Sequence, residues 1–390
     1  MEAQIKKAAV SLFLVVVGSW LMIYCRQQRE VVFSLFEPTL KTADRLSAFP
    51  EAQNRIGFHQ WFQNQPEAAL TLYQKALAGN FLLVDAWLKM GEIEAAKGNK
   101  ERARDILVFT DRLAPGVQRW KWQQALLALD LDLRDLFIRA INDLIPQILH
   151  RENALFVIDQ EYESVADAVG TALSSDNLPH YLSWLMQGQR VDDARVVWKK
   201  MTHAQKSEKD MHERYVHFLL SHRRIAEAKT VWGKTGLTNP GFEEEITHRG
   251  FDWRWHNPKD DSWMVKRIFL PDPKRMHAVQ VSFSGRENID FYHLSQVFPV
   301  KPGESYTIMF EWRSQGLTTD QRPFAEVYGY ECKGLYAKGS MAQENSEWHS
   351  EELPFTVPEG CEAAVVRLRR LKSSRIDSKI EGKIWLDNFR

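Results

Sequence analysis

Chemistry in this sequence is offered mainly by flat side chains: 14 Trp, 10 Tyr and 21 Phe in 390 residues, with arginines among them toward the C-terminus. Aromatic faces stack on sugar rings, and guanidinium groups pair with carboxylates. Trp253, Trp255, Trp263, Tyr292, Tyr328, Tyr330 and Trp348, with Arg313, Arg367 and Arg369, are therefore candidates for ligand contact. Core packing competes for each aromatic. Trp312, on the apolar side of a strict alternation, reads as core, whereas Trp255, beside His256 and Asn257 in an irregular stretch, reads as exposed.

Catalytic constellations are not found. There is no His-x-x-x-His pair, no Cys-x-x-Cys and no Gly-x-Ser-x-Gly elbow. Asp130, Asp132 and Asp135 fall on one helical edge, where solvation explains them, and His248 and His256 flank an Asp-Trp segment without a third ligand. No two carboxylates can be nominated to straddle a glycosidic bond. Ala228, Gly233, Lys234 and Thr235 fit a loose phosphate-loop pattern. They follow a helix rather than a strand and lack the glycines that let backbone N–H groups face a phosphate, so Gly233 reads as a helix cap and no nucleotide is expected.

The elements that position these residues come in three parts. The 51 basic and 51 acidic side chains cancel, which argues against a nucleic-acid partner held by bulk charge. Ala8 to Cys25 is an uncharged run flanked by Lys6, Lys7, Arg26 and Arg29; its 18 residues span about 27 Å as a helix and predict an uncleaved transmembrane anchor over 1–30. A cleaved signal peptide is the alternative, but large residues occupy the end of the run. A juxtamembrane linker would follow over 31–48, with the bulk of the chain on the periplasmic side of the inner membrane. Cys25 lies in the run, which leaves Cys332 and Cys361 as either a disulfide pair or two buried thiols.

From about Phe49 to Thr235 the pattern is of amphipathic helices that repeat. With Pro50 as position 1 of a 34-residue unit, Gly57, Ala69, Tyr73, Ala76 and Leu77 fall at positions 8, 20, 24, 27 and 28. A second unit from Val84 places Trp87, Gly91, Gly98, Ala103 and Pro115 at positions 4, 8, 15, 20 and 32. Val191, Ala194 and Trp198 stand at the same offsets as Ile225, Ala228 and Trp232, while 118–174 is helical in pattern but out of register. These residues resemble the tetratricopeptide repeat. The resemblance implies an α-solenoid over 49–236 whose concave surface binds a protein partner, with many tryptophans serving as packing.

After Thr238-Asn239-Pro240-Gly241 the period becomes two. Tyr306, Ile308, Phe310 and Trp312 alternate with polar residues, as do Ala364, Val366 and Leu368, and similar runs predict eight strands of an antiparallel β-sandwich, a jelly roll, over 240–390. On the opposite side of those strands Arg313, Arg367 and Arg369 point away from the core, as a solvated face or a site for acidic sugars. The segment holds 21 Lys plus Arg against 23 Asp plus Glu, so no basic patch hides in the average.

Asn239-Pro240-Gly241-Phe242-Glu243, the set Leu294, Gln296, Val297, Val300, Pro302, Gly303 and Tyr306, and the closing Gly382 to Phe389 resemble jelly-roll carbohydrate-binding modules. That resemblance implies glycan binding, by Trp253, Trp255, Tyr292, Arg313, Tyr328, Arg367 and Arg369. It also implies a structural calcium at Glu243 and Asp387, hard oxygen donors suited to that ion, with no other cofactor required. The whole reads as a multidomain α-then-β, non-enzymatic, membrane-anchored scaffold. Its expected setting is envelope polysaccharide synthesis or export, with a protein and a polysaccharide as partners. The alternative is a purely structural envelope or secretion-assembly factor whose sandwich binds protein and no sugar.

Overall fold

The computed structural model describes residues 15–26, 49–272 and 275–390. Two compact units divide the chain, Met1–Trp184 and Leu185–Arg390.

The first unit is built of helix pairs. Pro50–Phe62 with Pro66–Gly79, Val84–Ala96 with Lys100–Leu113, and Gln118–Asp130 with Arg134–Leu144 begin at even 34-residue steps. Small residues let helices touch: a Cβ added to Gly57 would lie 2.9 Å from the Tyr73 ring of its paired helix, and one on Gly91 would lie 3.4 Å from Ile106 of its pair and 3.0 Å from Leu127 of the next. Asp85 joins one pair to the next by accepting from Trp120 Nε1 at 2.6 Å and pairing with Arg119 at 3.1 Å. The third pair is the segment whose register the sequence pattern hid. Its position 8 is a buried Ala125, but its position 20 is Phe137, fully buried where the other units carry alanine. Pro146 then interrupts the period, and Arg151–Glu161 and Val165–Thr171 follow out of step.

The expected transmembrane helix is overturned. Among the described residues no helix is long and apolar enough to cross a membrane. The inner-membrane placement that depended on the anchor falls with it. Residues 8–14 of the expected span, and 31–48 of the expected linker, lie outside the described residues.

The second unit opens with helices Val191–Lys200, His203–Ser207, Lys209–Ser221 and Ile225–Trp232. Gly233 ends the last of them in the left-handed conformation, φ 68°, as a C-cap. After an irregular stretch come nine strands among the described residues: β1 (Trp263–Asp272), β2 (Arg275–Ser284), β3 (Phe291–Pro299), β4 (Ser305–Gln315), β5 (Phe324–Gly329), β6 (Tyr336–Met341), β7 (Ser346–Thr356), β8 (Ala363–Arg370) and β9 (Glu381–Asp387). They form a five-stranded sheet, β1-β2-β9-β4-β7, and a four-stranded sheet, β3-β8-β5-β6, with every pairing antiparallel. Eight strands were expected. The ninth, β6, is an edge strand whose exposed residues carry no apolar alternation.

Phe242, Trp253, Phe291, Phe310, Trp312 and Phe389 fill the space between the sheets. The motif residues close the ends of the fold. Gln296 holds Thr238 by two hydrogen bonds, donating to its carbonyl at 2.8 Å and accepting its N–H at 3.3 Å. The Tyr306 hydroxyl accepts the Lys301 N–H at 3.0 Å across the Pro-Gly turn. Cys332 is bonded to Cys361, tying the β5–β6 connection to the one before β8.

Secondary structure changes near residue 238, but compactness does not. Lys229 donates to Val300 O at 2.8 Å, the Tyr330 hydroxyl donates to Leu220 O at 3.2 Å, Arg223 pairs with Glu331 at 3.1 Å, and Trp232 packs on Phe251. These contacts explain why the last helical hairpins belong to the sandwich unit.

Candidate functional site

On β8, Ala364, Val366 and Leu368 point to the core, so Arg367 and Arg369 are turned to the outer face of the four-stranded sheet. Register brings Glu326 of β5 opposite Arg367, and the Arg367 Nε donates to the Glu326 carboxylate. The same guanidinium lies 4.5 Å from the Tyr328 ring centroid. Tyr336 of β6 is the register partner of Tyr328 and donates to Glu326 Oε2 at 3.1 Å. Toward the β3 edge, Arg369 pairs with Asp290 and lies 5.7 Å from the Tyr292 ring. Tyr292 is 48% exposed and Tyr336 63%. Four of the seven expected residues, Tyr292, Tyr328, Arg367 and Arg369, therefore share one face.

The other three do not join them. Trp253 is 1% exposed, packed in the core against Phe242 and Phe389, and this corrects its expected role as a ligand platform. Trp255 is half-buried, with its backbone N–H directed at His248 Nδ1 at 3.4 Å and its ring edge-on to that imidazole at 4.6 Å. Arg313 is on β4, on the outer face of the five-stranded sheet, where its register partner is Trp385 of β9. Its guanidinium lies 4.2 Å from the Trp385 centroid and 5.6 Å from that of Trp348. Tyr336 was missed because β6 was not read as a strand; the signal available was the period-two order of Tyr336, Lys338 and Ser340.

The carboxylates expected to hold calcium have other partners. His277 donates its N–H to Glu243 at 3.2 Å and its Nδ1 lies 2.8 Å from the other oxygen. Burial works to raise the Glu243 carboxyl, and the His277 bonds outweigh it and hold it below the usual range. Asp387 is fully buried; that burial pushes it up to about 6, against the Asn388 N–H and Arg275, with the Glu243 and Glu311 charges adding to the rise. Arg275 pairs with both Glu311 and Asp387. Arg275 and His277 thus already engage these carboxylates, and the donor set does not fit calcium. Among the described residues no group of three or more His, Cys, Asp or Glu is placed to hold a metal ion.

A cleft of about 570 Å³ lies elsewhere in the second unit, between the last helices and the entry to the sandwich. Its aromatics are already stacked, Trp198 on Tyr215 at 4.2 Å and Trp232 on His212 at 5.5 Å, and its rim carries both signs of charge. Two open tyrosine rings make the four-stranded sheet face the better candidate. His256 and His293 approach to 4.4 Å, and burial with the neighbouring His256 pushes His293 down to about 4. In the first unit Asp132 pairs with Arg134 at 3.6 Å on the surface.

No protein-family model matches the chain, the tetratricopeptide models included, and no curated protein matches it. Among solved structures it is similar to a putative sugar binding protein from Bacteroides thetaiotaomicron, at 10% identity over 40% of this chain and 98% of that one, TM-score 0.31. It is also similar to a structure described as CBM4 structure and function, at 14% identity over 40% and 97%, TM-score 0.28. A third is TmCBM61 in complex with β-1,4-galactotriose, at 18% identity over 40% and 96%, TM-score 0.27. The enzymatically active domain of bacteriophage CBA120 tailspike protein 4 is matched over 21% of its length, at 14% identity and TM-score 0.28. The chain is thus a helical array followed by an antiparallel sandwich that has carbohydrate-binding modules among its structural neighbours. At these scores the neighbours say nothing of its ligand.

Proposed function

We propose that the second unit is a non-catalytic glycan-binding module that uses the outer face of the four-stranded sheet. The observation that carries this reading is the exposure of Tyr292 and Tyr336 on the face that also holds Arg367 and Arg369. Strand spacing of about 4.8 Å and a rise of about 3.3 Å per residue put Tyr292 and Tyr328 on the order of 16 Å apart, enough for an extended oligosaccharide to cross the sheet. The rings supply stacking, and the guanidinium groups, held in place by Glu326 and Asp290, supply planar hydrogen bonding. The helical array, in this reading, holds a protein partner. An envelope polysaccharide machine is the partner expected from the sequence resemblance, and co-purification tests it.

The direct test is affinity electrophoresis of the full chain in gels containing a panel of soluble polysaccharides. Retardation by at least one glycan is expected, with at least a tenfold loss of affinity in Tyr336→Ala. Silence across the panel would favour the structural alternative, a sandwich that binds protein only.

A further inference from the structure

The arginines of the two sheets differ in how they are satisfied. Arg367 has Glu326, Arg369 has Asp290, Arg275 has Glu311 and Asp387, and the buried Arg370 is surrounded by acceptors that include Gln321 O and Ser378 O. Arg313 has none of these. Among the described residues no carboxylate pairs with it, and its Nε is buried without a hydrogen-bond partner. The indoles of Trp385 and Trp348 hold its guanidinium, 4.2 and 5.6 Å from their centroids, so its position is fixed while its donors stay unused.

Those donors border a cleft of about 480 Å³ on the outer face of the five-stranded sheet, lined also by Gln315, Asn345, Ser346 and Trp385. The size suits one or two sugar rings. Asn345 is oriented, because its Oδ1 accepts the Gly316 N–H at 2.8 Å, which leaves its amide nitrogen as a donor. Ser314 and Ser346, both in the lining, satisfy each other at 3.0 Å. Glu347 is the one carboxylate of the lining; it is exposed, and it limits the anionic charge the cleft can accept.

We propose that this cleft is a second binding site, separate from the tyrosine face, for a saccharide bearing a carboxylate, a hexuronic acid unit whose carboxylate pairs with Arg313 while Gln315 and Asn345 meet its hydroxyls. An unpaired guanidinium fixed between indoles is complementary to a planar anion, and carboxylate geometry allows two parallel N–H···O bonds. The saccharide part of the ligand rests on the glycan-binding reading; the location does not depend on the tyrosines.

The test uses the full chain and isothermal titration with short oligomers of galacturonate, glucuronate and mannuronate, each beside its neutral methyl ester. At least one acid should bind ten times or more tighter than its ester. Arg313→Gln should abolish the difference, Arg313→Lys should keep part of it, and Glu347→Gln should tighten binding. Melting curves of each variant show that it is folded. Equal affinity for acid and ester across the panel, or no binding at all, overturns the proposal. Acid preference that survives Arg313→Gln and disappears in Tyr336→Ala overturns it too, and leaves the tyrosine-face reading standing.

Discussion

Asp387→Asn should stabilise the sandwich unit at neutral pH. The carboxyl is 1% exposed, and its burial, with the Glu243 and Glu311 charges, raises it from its ordinary 3.8 to about 6. A folded-state value above the unfolded one means that the favourable contribution is complete below about pH 3.8, declines as pH rises through about 6, and is absent above. At about 1.4 kcal/mol per tenfold change, holding the ionised carboxylate at pH 7 costs about 3 kcal/mol relative to the acid form. Asparagine keeps the shape and an acceptor for the Asn388 N–H at 2.7 Å, and Arg275 retains Glu311. Urea unfolding of parent and variant from pH 4 to 8 should show curves that converge at the acid end and separate toward neutrality, with the variant up to about 3 kcal/mol more stable, or about 6 to 12 °C in Tm. Calcium or a chelator should move neither curve. A variant less stable than the parent at pH 7 would refute the electrostatic account, and a calcium-dependent rise in the parent's Tm would show that the ion displaces Arg275.

Two further predictions concern what holds the sandwich together. Gly382 sits at φ 113° against the Gly316 carbonyl, where an added Cβ overlaps the backbone, so Gly382→Ala should cost more than about 3 kcal/mol by chemical denaturation. The Cys332–Cys361 bond closes a 29-residue separation, and its loss through Cys361→Ser with Cys332→Ser should cost about 3 to 4 kcal/mol. Because Tyr330 and Glu331 hold the last helical hairpin beside that bond, hydrogen exchange over 220–232 should also speed up in the double variant; unchanged exchange would mean that the hairpin is held by Lys229 and Phe251 alone.

Period and spacing carried most of the fold. Two 34-residue units and the alternation of strands were legible because small residues stood where helices touch and polar residues stood opposite apolar ones. The third helix pair was hidden by several exchanges: Ala125, Phe137 and Ile141 stand where the first unit has Gly57, Ala69 and Tyr73, and all three are buried all the same. β6 was hidden because both faces of an edge strand can be polar. The membrane span was overread: eighteen uncharged residues satisfy a length rule, yet among the described residues no helix is long and apolar enough to cross a membrane.

The three outward arginines show where sequence reading stops. Arg313, Arg367 and Arg369 have the same alternation and therefore the same apparent role. What separates them is the residue that strand register puts alongside: Glu326 is the cross-strand partner of Arg367, and Trp385 is that of Arg313. A carboxylate partner turns an arginine into a fixed part of the surface, and an aromatic partner fixes it while leaving its hydrogen bonds unspent. Glu326 is 41 positions from Arg367 and Trp385 is 72 from Arg313, and neither distance follows from local pattern. Alternation assigns a side chain to a face, but only topology assigns its neighbour, and the neighbour decides whether a charge is structural or available to a ligand.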